Sequence, residues 1–188
     1  MSSSDDLREI ALREFTFAGF SATSLQHIAD LAGLSKSSVL YHFASKEALL
    51  EAAVSPAVDR LELIVREFAS DGLAPDRLQN FIENFVDFLL QHRRELHIFI
   101  NQGPTLEDVP VIERANQLVL RLTGFFMSSL SSAEDRMRFG IALGGAAYML
   151  VAQEKFTLET APIDETRAAL VAIMSEVLHP VSVRSHAF

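Results

Sequence analysis

Apolar residues recur along most of the 188-residue chain at spacings of three and four. Runs of alternating β-branched residues bounded by hairpin turn pairs are missing, so the pattern predicts helices and no sheet. Leu7, Ile10, Ala11, Phe15 and Ala18 form one stripe of a first helix, with a Ser3–Asp6 capping box at its start and Gly19 at its end. Thr23 and Gln26 offer a second capping box, opening a short helix that stops at Gly33. Ser35 and Ser45 are placed to cap a third and a fourth. The fourth runs from Lys46 towards Ala69 with Pro56 inside it. Proline removes a helical hydrogen bond and its ring meets the preceding turn, so a kink or break is expected near Ser55.

Ser70-Asp71-Gly72 closes that segment, and Pro75 suits the first position of a fifth helix. The fifth carries Leu78, Phe81, Ile82, Phe85, Phe88 and Leu89 on a broad apolar face. Further helices are expected over His92–Asn101, Val111–Leu130, Ala133–Phe156 and Asp164–Leu178, with Thr160-Ala161-Pro162 separating the last two. Residues 181–188 have no periodicity and read as a mobile tail. The fold class is therefore all-α.

Composition changes this picture little. Apolar residues make up 49% and charged residues 22%, as in ordinary globular proteins, and there is no cysteine to form disulfides, thiolate metal sites or a thiol nucleophile. The apolar run from Phe139 to Ala152 would span about 21 Å as a helix, short of the roughly 30 Å hydrocarbon core. It reads as a buried helix rather than a membrane span. Met1–Asp6 shows neither the basic nor the apolar part of a secretory signal, and a cytoplasmic location with no membrane partner is expected.

Leu25 to Val39 holds the most informative spacing. Small Ala29 sits where two helices must approach closely, and Gly33 sits at a turn, where positive φ costs glycine little. Leu25, Ile28, Leu31, Leu34 and Val39 supply apolar contacts that fix the crossing, as in a helix-turn-helix over Thr23–Lys46. Its third helix presents Lys36, Ser37, Ser38, Tyr41 and His42 outward, while Val39, Leu40 and Phe43 face inward. Net charge opposes the reading: it is −9 overall, and Met1–Leu50 carries four cations against six acids. Binding to DNA would then depend on helix N-termini, hydroxyls and a few placed cations, doubled by dimerisation.

The flanking residues are Gly19-Phe20, Thr23-Ser24, Ile28-Ala29, Ala32-Gly33-Leu34-Ser35-Lys36, Leu40-Tyr41-His42-Phe43 and Ser45-Lys46-Glu47-Ala48-Leu49. Over Ala11–Leu50 they resemble the N-terminal domain of the TetR family of repressors. Ser37 departs from the glycine many members carry there, and an aromatic often found at the Leu40 position is represented by neighbouring Tyr41. The resemblance implies a helix-turn-helix DNA-binding domain at residues 1–47. A larger helical effector-binding and dimerisation domain would follow at 48–180. It also implies a recognition helix over Lys36–His42, with Thr23, Ser24, Ser35, Lys36, Ser37, Ser38, Tyr41, His42 and Lys46 as the candidate DNA-contacting residues. The implied partners are a double-stranded operator, a second copy of the chain and a small apolar or amphipathic effector, with no cofactor or metal.

The later helices offer some support of their own. Phenylalanine occurs 14 times and tryptophan not at all. Phe68, Phe81, Phe85, Phe88, Phe125 and Phe126, with His97 and Asn101, are the candidate effector contacts, and Gln102 is a further polar one. Plain core packing explains the same rings. Gly140, Gly144 and Gly145 interrupt a helix at about 1 kcal/mol each relative to alanine, which calls for close approach by another helix. Paired with Leu170, Val171, Ile173, Met174 and Val177 of the last helix, they suggest a four-helix interface between two copies. An enzyme has little support: Glu-x-x-His occurs once, at Glu176–His179, where a di-iron site needs it twice, and phosphate-loop and nucleophile-elbow motifs are missing. A helical ligand-binding or adaptor protein without DNA binding is the alternative that the acidic N-terminal segment favours.

Overall fold

A computed structural model describes residues 3–71, 75–155 and 161–179. Among these residues the chain is helical and contains no β-strand: α1 Ser3–Phe17, α2 Leu25–Leu31, α3 Lys36–His42, α4 Lys46–Asp71, α5 Pro75–Gln91, α6 Arg93–Gln102, α7 Pro110–Ser129, α8 Ala133–Lys155 and α9 Ile163–Leu178. A 3-10 turn, Gly103–Thr105, follows α6. The expected boundaries agree to within a residue or two where they can be compared. The Ser3 side chain, Phe156 and the residues beyond His179, including the expected tail, lie outside the described residues.

Local chemistry corrects one expectation and narrows another. Ser24, not Thr23, caps α2, accepting a hydrogen bond from the His27 N–H at 3.1 Å. Of the kink or break expected near Ser55, the break is absent: α4 runs through Pro56 as one helix. Pro56 is exposed, so its ring sits on the solvent side, and the Ser55 hydroxyl donates to the Glu51 carbonyl at 2.7 Å one turn back.

The chain divides into two compact units. The first contains the described residues up to Asp59 together with Arg94–Ala115, and the second contains Arg60–Arg93 and the described residues from Asn116 onward. In the first, α1 packs on α2 and α2 on α3. Leu7, Ala11, Phe15, Ile28, Ala29, Val39, Leu49, Leu50, Ile98 and Ile112 are fully buried, so α6 and the start of α7 share this core with the N-terminal helices. An Arg114–Asp59 ion pair at 2.7 Å belongs to the same unit.

In the second unit α5 packs against α9 and α8, and α8 against α9. Arg167 of α9 grips Asp87 of α5 with two hydrogen bonds of 2.5 and 2.9 Å, and the Ser175 hydroxyl donates to Gln79 at 2.9 Å. One face of α8 carries Met137, Gly140, Ile141, Gly144 and Tyr148 at helical spacing and is exposed. A Cβ added at Gly140, Gly144 or Gly145 would meet nothing within 4 Å. Beside α8, α9 exposes Ala169, Ala172 and Ile173.

Candidate nucleic-acid interface

Short helices of seven residues cannot hold themselves in water, so α2 and α3 depend on their ends and on the core beneath them. At the end of α2, Gly33 adopts φ +67°. The Gly33 N–H reaches the Asp30 carbonyl at 3.2 Å and the Leu34 N–H reaches the Ala29 carbonyl at 2.9 Å. This is the Schellman pairing, which satisfies two of the helix's open carbonyls and turns the chain sharply. Ser35 then caps α3, accepting from the Ser38 N–H at 3.1 Å, with the two hydroxyls 2.8 Å apart.

Ile28, Ala29 and Val39 are fully buried at the α2–α3 crossing, and Phe43 is buried just past α3. With those positions turned inward, α3 presents Lys36, Ser37, Tyr41 and His42 to solvent. Tyr41 is 87% exposed, and its ring meets His42 edge-on at 5.4 Å. Leu34, Ser37, Ser38, Tyr41 and His42 line a shallow open concavity. Leu40, expected inside, is instead 42% exposed. A seven-residue helix on a small core buries little more than one stripe, and Val39 with Phe43 fills it.

The other candidate DNA residues are placed unevenly. The Ser24 hydroxyl is exposed, and after accepting from His27 it retains its own proton to donate. Thr23 is 2% exposed, and its hydroxyl donates to the Gly19 carbonyl at 2.8 Å. Its side chain therefore serves the α1–α2 turn. Lys46 points its ammonium into the same turn, donating to the Phe20 and Thr23 carbonyls at 2.7 and 2.9 Å, 4.2 Å over the Phe20 ring. Next to it, Glu47 has its carboxyl held below the ordinary value, chiefly by a hydrogen bond from its own backbone and then by the Ser45 hydroxyl. His27 reaches Glu14 of α1 at 3.1 Å, tying α2 to α1.

The candidate effector residues do not form one group. Phe68, Phe81, Phe85, Phe88, Phe125 and Phe126 belong to the second unit, whereas His97 and Asn101 belong to the first. The rings pack on one another, with Phe68–Phe81 at 4.2 Å, Phe68–Phe126 at 5.1 Å and Phe126–Phe139 at 3.8 Å between centroids. A cavity of about 20 Å³ beside Phe68 and Phe81, edged by Arg77, Asn80 and Asn84, has room on the scale of one water. Asn101 is exposed and donates to the His97 carbonyl at 3.1 Å. Gln102, read from the sequence as a polar pocket contact, is engaged elsewhere: its amide bonds the backbone at Phe15 and Phe20. Its part in the α1–α2 turn was not foreseeable, because 82 residues separate it from Phe20.

An exposed, capped short helix packed across a second through a glycine turn defines a helix-turn-helix. Residues 7–53 match the family model described as bacterial regulatory proteins, tetR family, so the resemblance to the TetR family is shown over this N-terminal segment. The HTH-type transcriptional repressor KstR2 of Mycobacterium tuberculosis is 28% identical over 106 residues, covering 56% of this chain and 53% of that protein. The HTH-type transcriptional regulator RutR of Escherichia coli is 43% identical over 61 residues, covering 32% of this chain and 29% of its own length. The matches thus span about half or less of these curated relatives. The fold extends further than the sequence likeness. The structure of KstR2 from M. tuberculosis superposes with a TM-score of 0.74 at 18% identity, over 96% of this chain and 95% of that one. The MbdR regulator of Azoarcus sp. CIB does so at 0.71 and 18%, over 94% and 99%.

Proposed function

We propose that this chain is a DNA-binding transcriptional regulator that acts as a homodimer. In this reading it represses until a small apolar or amphipathic effector releases it. The carrying observation is the outward face of α3, where Lys36, Ser37, Tyr41 and His42 stand together on a helix fixed at both ends. That face offers hydrogen-bond donors and an aromatic edge to the major groove, while the exposed Ser24 hydroxyl lies at the start of α2, where backbone N–H groups suit a phosphate. The dimer surface is the exposed face of α8 with its neighbour α9, where glycines leave room for a second helix to come close. Two copies bring two reading helices to half-sites one helical turn apart, which offsets the shortage of positive charge on each.

Effector binding is assigned to the phenylalanine cluster of the second unit. The cluster fills its own space, so a ligand must part the rings, which links binding to a change in shape. Since α4 contributes its first half to one unit and its second half to the other, movement of α4 is the proposed route to the reading helices, with Pro56 as the proposed pivot.

Selection from random duplex DNA by the full chain, followed by mobility shifts at several salt concentrations, tests the reading. The expected result is a two-fold-symmetric site, bound about 5- to 100-fold more weakly after Tyr41→Ala. Lys36→Ala is expected to reduce the salt slope by roughly one per subunit. No sequence-selective binding at low salt, with Lys36→Ala indistinguishable from the parent, would favour the non-DNA helical ligand-binding or adaptor reading that the acidic N-terminal segment supports.

A further inference from the structure

The turn between α1 and α2 is held by two side chains that arrive from distant parts of the sequence. Gln102, the last residue of α6, donates from Nε2 to the Phe15 carbonyl at 2.8 Å and accepts at Oε1 from the Phe20 N–H at 2.7 Å. With Gly19 at φ +90°, the chain leaves the helical path, so carbonyls in the last turn of α1 lose their helical donors. One amide restores a donor to Phe15 and supplies an acceptor to Phe20. Lys46, the first residue of α4, holds the Phe20 carbonyl from its own position in the chain. The Phe20 ring is buried 5.2 Å from Phe15. The N–H, the carbonyl and the ring of one residue are therefore gripped by α6, α4 and α1 in turn.

Gln102 does not reach this turn by chance orientation of an exposed side chain, because α6 is also tied to α1 elsewhere. Arg94 pairs with Glu9, and the Thr16 hydroxyl lies 3.5 Å from the Arg94 carbonyl. We propose that Gln102 is a positioning residue for DNA binding. Its amide sets the angle at which α2, and with it α3, leaves α1, so the reading helix is in place only while the end of α6 stands against the turn. The inference rests on the DNA-binding reading and adds to it a control point that touches no DNA.

The chemistry of the contact supplies a specific test. The site needs one donor and one acceptor on the same planar group, which glutamine has and ionised glutamate lacks. Protonated glutamic acid has both again. Full-length parent, Gln102→Ala and Gln102→Glu would be compared at pH 7.5 and pH 5. The readouts are hydrogen-exchange protection of the Phe20 amide and affinity for the DNA selected by the parent. Loss of two hydrogen bonds, each about 5-fold, is expected to cut Phe20 protection in Gln102→Ala by roughly 30-fold. DNA binding is expected to weaken at least 5-fold.

At pH 7.5 the Gln102→Glu carboxylate can still accept from the Phe20 N–H but sets its second oxygen against the Phe15 carbonyl, so its DNA affinity is expected to fall as in Gln102→Ala. That opposition favours the protonated acid, and the affinity is expected to return towards that of the parent, measured at the same pH, at pH 5. A side chain that merely filled space would show no such return, and this comparison decides the matter even if Gln102→Ala does not fold. Unchanged Phe20 protection, unchanged DNA affinity, or a Gln102→Glu variant whose ratio to the parent ignores pH overturns the positioning role alone. A parent that selects no DNA overturns the DNA-binding reading, and the functional half of this proposal with it, whatever exchange shows at Phe20.

Discussion

The Lys46 ammonium has three protons, and the fold uses two of them on the Phe20 and Thr23 carbonyls. The residue expected to grip DNA thus holds the α1–α2 turn together. Hydrogen bonds from a charged group contribute about 1.5–3 kcal/mol, and the cation over the Phe20 ring adds to them. Lys46→Met is therefore expected to lower unfolding stability by about 2 kcal/mol in urea titration, a loss visible without any DNA present. The motif spacing marked Lys46 as important, but it could not tell a lysine that points out from one that points in. Thr23 illustrates the same limit, since its hydroxyl satisfies Gly19 rather than standing at the helix end. Local spacing identifies positions; the partners of long polar side chains depend on how the chain returns.

Among the elements, amphipathic spacing located the helices well because each buries a stripe wide enough to dominate its pattern, as with Phe81, Ile82, Phe85, Val86 and Leu89 of α5. It failed where a helix is short or its surface setting matters. Leu40 on α3 was expected inside and is exposed, and of the kink or break expected at Pro56 the break is absent. Contacts between remote helices were beyond its reach. Asp87 and Arg167 are 80 residues apart, and neither the charges nor their spacing indicates that α5 and α9 lie side by side. The Asp87 carboxyl is held below its ordinary value, chiefly by the hydrogen bond from Arg167, which outweighs the opposing cost of desolvation, with the charges of Arg167 and Arg60 adding to it. A depressed folded-state value means that the pair's contribution is complete above the unfolded carboxylate pKa, about 3.9, and disappears as pH falls through the folded value. The difference in thermal midpoint between the parent and Asp87→Asn is thus expected to be constant from pH 7 to about pH 5. It is expected to close as the solution is taken below about pH 4. Both side chains are substantially exposed, so the difference is expected to be small and to shrink in high salt.

For the whole molecule, the all-α class and the helix-turn-helix were legible, while the manner in which distant helices complete the N-terminal core was not. The boundary suggested by motif and family resemblance falls at residue 47, and the compact unit holding the helix-turn-helix continues to Asp59 and takes in Arg94–Ala115. No local pattern announces that Ile98 and Ile112 join Leu49 and Leu50 among its fully buried residues. At this scale the proposed homodimer is the property most open to test. Ile141→Asp places a charge at the middle of the exposed α8 face, where the isolated subunit loses little because the side chain is already in water. Sedimentation equilibrium is expected to show a shift from dimer to monomer with the helical spectrum retained. A dimer unaffected by this change would place the interface elsewhere.

The glycines on that same face have a consequence for how such a protein coexists with its relatives. Because Gly140, Gly144 and Gly145 have empty space where a Cβ would stand, the single subunit sets few limits on what may replace them. If two copies meet here, a change of one methyl group can forbid an old pairing while leaving the fold untouched. Fidelity of assembly among similar chains in one cell would then be decided at positions that have almost no side chain at all.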